Sequence, residues 1–156
     1  MLMEIHYAKG WFRADKVVTD PWTPKKAKKA YDRRTLHTVI AGPMEKPTAF
    51  IEFNMDYVGI GFLDGHLREY LSYQFVEVES GRLFLTMATY REYEGDSDRV
   101  RKGTTYYFKQ GGKVVVVTDE FPGGGITRHE TTAPVSGNWE NYPAFGEYDS
   151  LLRIDR

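Results

Sequence analysis

Residues 49–119 read AFIEFNMDYVGIGFLDGHLREYLSYQFVEVESGRLFLTMATYREYEGDSDRVRKGTTYYFKQGGKVVVVTD, and their punctuation decides the fold. Asp64-Gly65, Ser80-Gly81 and Gly111-Gly112 each interrupt runs rich in β-branched and aromatic residues, and glycine supplies the positive φ that a tight hairpin needs. Between these turns the apolar residues alternate. Ile51, Phe53 and Met55 share one face of a strand, and Val58, Ile60 and Phe62 share one face of the next. The pattern predicts strands over 49–54, 58–63, 67–78, 82–94, 104–109 and 113–119, each joined to its neighbour by a hairpin.

Residues 3–7 and 11–18 read as a first strand pair with Gly10 at the turn. Residues 36–41 read as a strand before Gly42-Pro43, and 126–132 as one after the triplet Gly123 to Gly125. Consecutive hairpins build an antiparallel sheet, and closure is the direct way to remove exposed edges. The expected class is therefore mainly β: an antiparallel meander forming a closed or half-closed barrel over a single domain, 1–156. Tyr148, Leu151 and Leu152 stand at i, i+3 and i+4, which predicts a short C-terminal helical turn docked on the sheet.

The chain has 156 residues and no cysteine, which excludes disulfides and thiolate metal sites and points to a reducing, cytoplasmic setting. Glu4, His6 and Lys9 break up the opening segment, so it lacks the apolar core of a signal peptide, and no run approaches membrane-spanning length. Charge is unevenly spread: residues 1–46 carry about +5 and residues 47–156 about −6. The positive part centres on Lys25, Lys26, Lys28, Lys29, Arg33 and Arg34. Thr23 followed by Pro24 has the form of an N-cap and first helical position, which predicts a short basic N-terminal helix. Nucleic acid is not the expected partner, because only Trp22 and Tyr31 stand nearby to stack on bases and the rest of the chain is acidic.

The aromatic residues suggest where binding occurs. Tyr70, Tyr73, Tyr90, Tyr93, Tyr106 and Phe108 fall on neighbouring strands, and Glu92, Glu94, Asp96 and Asp98 crowd the hairpin tip around Gly95. Tyrosine offers an apolar body and a hydroxyl at one place, which suits an interface or the mouth of a cavity, although it is also favoured in cross-strand pairs. One reading makes Tyr70, Tyr73, Tyr90, Glu92, Tyr93, Glu94, Asp96 and Asp98 a docking face for a basic protein. The other makes Tyr70, Tyr73, His66, Glu69, Tyr106 and Phe108 the lining of a small-molecule cavity.

Catalytic signatures are sparse. No glycine-framed nucleophile surrounds Ser72, Ser80, Ser97, Ser136 or Ser150, and the four histidines lie far apart with no zinc spacing. The acidic tip does not match a calcium loop, and Gly123 to Gly125 lack the lysine and hydroxyl residue of a phosphate loop. The expectation is a protein without metal or cofactor, more a binder than an enzyme.

Two resemblances follow. The layout of a small, cysteine-free β domain with an acidic body resembles the immunity proteins of bacterial toxin systems, and implies occlusion of a basic toxin without bond-making. Gly10 with Trp11 near the first strand resembles the opening glycine and tryptophan of the lipocalins, without the residue that stands between them there, and implies a ligand-holding barrel. The sequence leaves the oligomeric state open.

Overall fold

A computed structural model describes residues 3–156. Its eleven strands form one antiparallel sheet: β1 (Ile5–Phe12), β2 (Val17–Trp22), β3 (His37–Ala41), β4 (Ala49–Asn54), β5 (Tyr57–Leu63), β6 (Glu69–Glu79), β7 (Arg82–Tyr93), β8 (Val100–Phe108), β9 (Lys113–Glu120), β10 (Gly125–Thr132) and β11 (Trp139–Asn141). The order is β10-β9-β8-β7-β6-β5-β4-β3-β1-β2, with β11 paired to the start of β7. From β3 to β10 each strand pairs with the next in sequence, so the meander expected from the glycine turns is present. No ladder joins β2 to β10, and the sheet is not closed by hydrogen bonds.

The first hairpin differs from expectation. Gly10 lies inside β1, and the chain reverses at 13–16, where the Lys16 N–H donates to Phe12 O over 2.8 Å and Lys16 itself takes φ 57°. The sequence offered a glycine as the obvious turn residue, but backbone geometry at a lysine makes the reversal. Strand β8 also begins at Val100, four residues before the expected start, because the acidic tip is a tight turn and not a long loop.

The helix α1 (Pro24–Arg33) is capped as its sequence suggests: Thr23 accepts from the Lys26 N–H over 3.2 Å and Pro24 opens the first turn. Only Ala27 and Ala30 are buried, so the small side chains let the helix lie close while its lysines face water. Arg34 at the C-cap donates to Glu77 over 2.7 and 3.3 Å, and its guanidinium lies 3.6 Å from the centre of the Tyr142 ring. At the C-terminus a single turn closes with the Leu152 N–H donating to Tyr148 O.

Alternation divides the sheet into two faces. On the core face Val39, Ile51, Phe53, Ile60, Phe62, Tyr73, Phe75 and Leu85 are buried beneath α1 and the segment 142–156. Phe145 stacks on Tyr7 at 5.0 Å, Tyr142 meets Phe53 edge-on, and Tyr7 shares a hydroxyl hydrogen bond with Tyr148. The opposite face holds a smaller cluster, Ala8, Trp11, Ile40, Phe50 and Leu63.

The sheet is strongly curled. Five strand spacings separate β1 from β7, about 24 Å in a flat sheet at about 4.8 Å each. Yet Lys16 on the β1–β2 turn donates to Asp98 on the β7–β8 tip over 2.7 Å. Curling folds the first hairpin over the opposite face and builds a pocket beneath it.

Candidate functional site

Beneath the β1–β2 turn lies a cavity of about 400 Å³. Its floor is the middle of β5, where side chains have been given up. A Cβ on Gly61 would collide with the Phe50 ring and one on Gly59 with the Tyr57 ring, so these glycines let aromatic rings lie directly over backbone. Trp11 also lines the cavity, backed at 6.1 Å by the fully buried Phe50 ring.

The walls are polar. Ser72 and Gln74 on β6, and Met87, Thr89 and Arg91 on β7, alternate with core residues and so point to this face. Arg13 reaches down from the turn, donating to Glu52 over 2.8 Å and to Glu69 over 3.1 Å, with its guanidinium 5.0 Å from the Phe50 ring centre. Ser72 donates to Glu69. Arg91 donates to Ser72 Oγ over 2.8 Å and lies 3.8 Å from Glu69 Oε2. The Tyr93 hydroxyl donates to Glu69 O over 2.7 Å, and the Arg68 guanidinium rests 4.7 Å from the Tyr93 ring centre. Arg68 is held in place by Asp64 and by the carbonyls of Gly95 and Ser97.

Electrostatics follow from this wiring. Burial works to lower the Arg13 pKa, but the hydrogen bond and charge of Glu52, then Glu69, outweigh it and raise the value, so the guanidinium stays charged. Burial raises the Tyr57 hydroxyl, with Glu52 adding to the effect, and burial likewise raises Tyr93; both remain neutral donors. Burial pushes the Asp64 carboxyl up, but hydrogen bonds from Arg68 and the His66 N–H more than offset it and leave the group below the usual carboxylate range. The cavity thus presents fixed ion pairs and neutral hydroxyls above an aromatic floor. Such a site can orient a small polar molecule with a flat apolar part.

The structure gathers some of the sequence-derived candidates and scatters others. Glu69, Tyr93 and Asp98 line the cavity, and His66 sits at its rim, where its carbonyl accepts from Lys16 over 3.0 Å. Tyr73 borders the cavity through its strand, but its side chain belongs to the core face, its hydroxyl donating to Ile154 O and raised in pKa by burial. Tyr70 is half-buried against the core cluster. Tyr90, Tyr106 and Phe108 lie together on the core-face side of β7 and β8, Tyr90 meeting Tyr106 edge-on at 5.8 Å. At the tip each acid has a basic neighbour: Glu92 with Arg101, Glu94 with Arg99, Asp96 with His66 and Asp98 with Lys16.

Sequence reasoning missed Arg13, Glu52, Tyr57, Ser72, Thr89 and Arg91. A signal was present: Ser72-x-Gln74 and Met87-x-Thr89-x-Arg91 repeat at period two opposite the aromatic face. On a half-exposed sheet that pattern is indistinguishable from a solvated face until the curl is known.

Among the described residues no group of three or more His, Cys, Asp or Glu side chains is placed to hold a metal ion. Nor is any helix among them long and apolar enough to cross a membrane. No protein-family model matches the chain, and no curated protein or solved structure shows significant similarity to it.

Proposed function

We propose that this chain is a small-molecule-binding protein that holds its ligand beneath the first hairpin, in a half-closed β-barrel whose open side lies between β2 and β10. The single observation that carries this reading is the 400 Å³ cavity with an aromatic floor and wired polar walls, a volume within the usual range for ligand sites. The ligand class is a compact, hydrogen-bonding molecule with one planar apolar portion, set against Trp11 and Tyr57 and held by Arg91, Ser72 and Thr89. Glu52 and Glu69 are engaged by Arg13, which supports binding over acid–base catalysis. A cytoplasmic setting belongs to the same reading.

Docking of a basic protein, in the manner of an immunity protein, is the second reading. It draws support from the exposure of Tyr90 and Tyr107, but the pairing of every tip carboxylate with a base inside the chain leaves less acidic charge for a partner.

A thermal-shift screen of polar heteroaromatic compounds against the native chain and Thr89→Trp tests the proposal. Compounds that raise the melting temperature of the native chain and leave the variant unmoved support a site in the cavity. Equal stabilisation of both proteins, or no stabilisation by any compound, overturns it.

A further inference from the structure

Strand β10 ends the sheet with all eight residues exposed and only β9 beside it. The opposite edge is protected: in β2, Asp20 takes φ 51° and Pro21 lacks an N–H, which interrupts any strand seeking to pair there. Nothing comparable guards GITRHETT.

The direction of the free groups on β10 can be derived. In an antiparallel ladder, pairs that exchange hydrogen bonds alternate with pairs that do not. The Ala133 N–H donates to Gly112 O, one step beyond the Thr132–Lys113 pair. Counting back, Thr131, His129 and Thr127 turn their backbone groups toward β9, while Ile126, Arg128, Glu130 and Thr132 turn theirs to the free edge. The other side of β9 agrees: the Lys109 N–H donates to Lys113 O and the Phe121 N–H to Arg101 O, so odd-numbered residues of β9 face β8 and even-numbered ones face β10.

We infer that two copies of this chain associate by antiparallel pairing of their β10 edges about a two-fold axis at His129. In that register Arg128 of each copy exchanges backbone hydrogen bonds with Glu130 of the other, and Ile126 does so with Thr132, so every outward group on the edge is satisfied. The side chains agree with the backbone. Arg128 stands directly opposite Glu130 in both halves, and Thr127 opposite Thr131. A slip of two residues either way keeps the hydrogen-bonding sense but sets Arg128 against Arg128, or Glu130 against Glu130. Charge therefore selects one register among those the backbone allows. The contact is one strand wide, which places it among weak, concentration-dependent interfaces with a dissociation constant on the order of 10–100 µM.

Sedimentation velocity on the full chain, from about 5 µM to about 500 µM, reads the association. The native chain is expected to shift from monomer to dimer across that range. Arg128→Glu and Glu130→Arg alone should each weaken dimerisation by at least about tenfold, because each sets like charges opposite one another. The double exchange, which restores the cross-strand pair and keeps the in-chain pair of 128 with 130, should dimerise again. Arg128→Pro, which deletes an outward N–H without touching the β9 ladder, should remain monomeric with an unchanged far-ultraviolet spectrum. A native chain that stays monomeric throughout, single reversals that still dimerise, a double exchange that fails to recover, or a proline variant that still associates each overturns the inference.

Discussion

Strands β3 to β6 and strands β8 to β10 come from the same kind of sequence, yet the first group holds most of the buried core, whereas β8 and β9 are mostly half-buried and β10 is exposed throughout. In β3 every residue is buried, and in β5 all but Tyr57. In β10 every residue is exposed, and Tyr107 on β8 is 43% exposed. Hairpin propensity is alike in the two halves, so the difference arises from what is laid over them. Helix α1 and residues 142–156 cover one face of β1 to β7, and the β1–β2 turn folds over the other. Local pattern makes a strand; cover supplied from distant sequence makes a core, and with it a pocket.

The largest effect expected from this contrast is on stability. Phe75 is fully buried beside Tyr73, with the Arg156 guanidinium 4.9 Å from its ring centre. Phe75→Ala should cost about 3–5 kcal/mol in urea denaturation, whereas Tyr107→Ala on the open wing should cost less than about 1 kcal/mol. Comparable losses at the two positions would show that the wing is as tightly packed as the covered half.

Glycine substitutions sharpen the contrast at intermediate size. Gly61→Ala forces the buried Phe50 ring away from β5, where it backs Trp11, and should destabilise by about 1–3 kcal/mol. Gly103→Ala on β8 meets no atom within 4 Å and should be neutral or slightly stabilising. Equal responses in paired chemical denaturation curves would contradict the close packing of Phe50 on β5.

The smallest effect lies in pH dependence, and it too separates the halves, because its source is in the covered one. His37 is fully buried and stacked on Phe53 at 4.8 Å. Its Nδ1 lies 2.9 Å from Thr35 O, and its Nε2 has no partner. Burial lowers its pKa from the ordinary 6.5, outweighing the Thr35 hydrogen bond. The unfolded chain therefore takes up a proton near pH 6.5 that the folded chain refuses, so stability falls as pH drops below that value. Burial raises the Glu77 carboxyl, but hydrogen bonds from Arg34 and the Gly81 N–H leave it below its ordinary 4.5, so its contribution is present above that pH and is lost on further acidification. Melting temperatures between pH 5 and 7 should slope less steeply in His37→Phe than in the native chain. An unchanged slope would place the acid sensitivity elsewhere.

Much of this architecture was legible because it is local. The turns at Gly81 and Gly112, the shared faces of Ile51 with Phe53 and of Val58, Ile60 and Phe62, and the Thr23-Pro24 helix start all depend on a few adjacent residues. The turn after Asp64 falls where expected, but its positive φ is on Leu67 and not on Gly65, and Met55, expected on the Ile51 face, is an exposed turn residue at φ 58°. The first hairpin was misread for a reason just as local: Gly10 has the residue type of a turn, while the turn conformation falls on Lys16. The pocket was largely hidden because its contacts span the chain. Arg13 and Glu69 are 56 residues apart and Lys16 and Asp98 are 82 apart, and they meet only because the sheet curls. Glu69 and Tyr93 were found as residue types; their convergence with Arg13, Ser72 and Arg91 is a tertiary fact.

The ligand site lies under the curled first hairpin. Amide chemical-shift mapping, using any compound that stabilises the native chain, tests it most directly. Shifts are expected to concentrate at residues 11–16, 52, 57–61, 69–74 and 87–93, and to be lost in Thr89→Trp. Shifts confined to β8 to β10, or unaltered by that substitution, would contradict it.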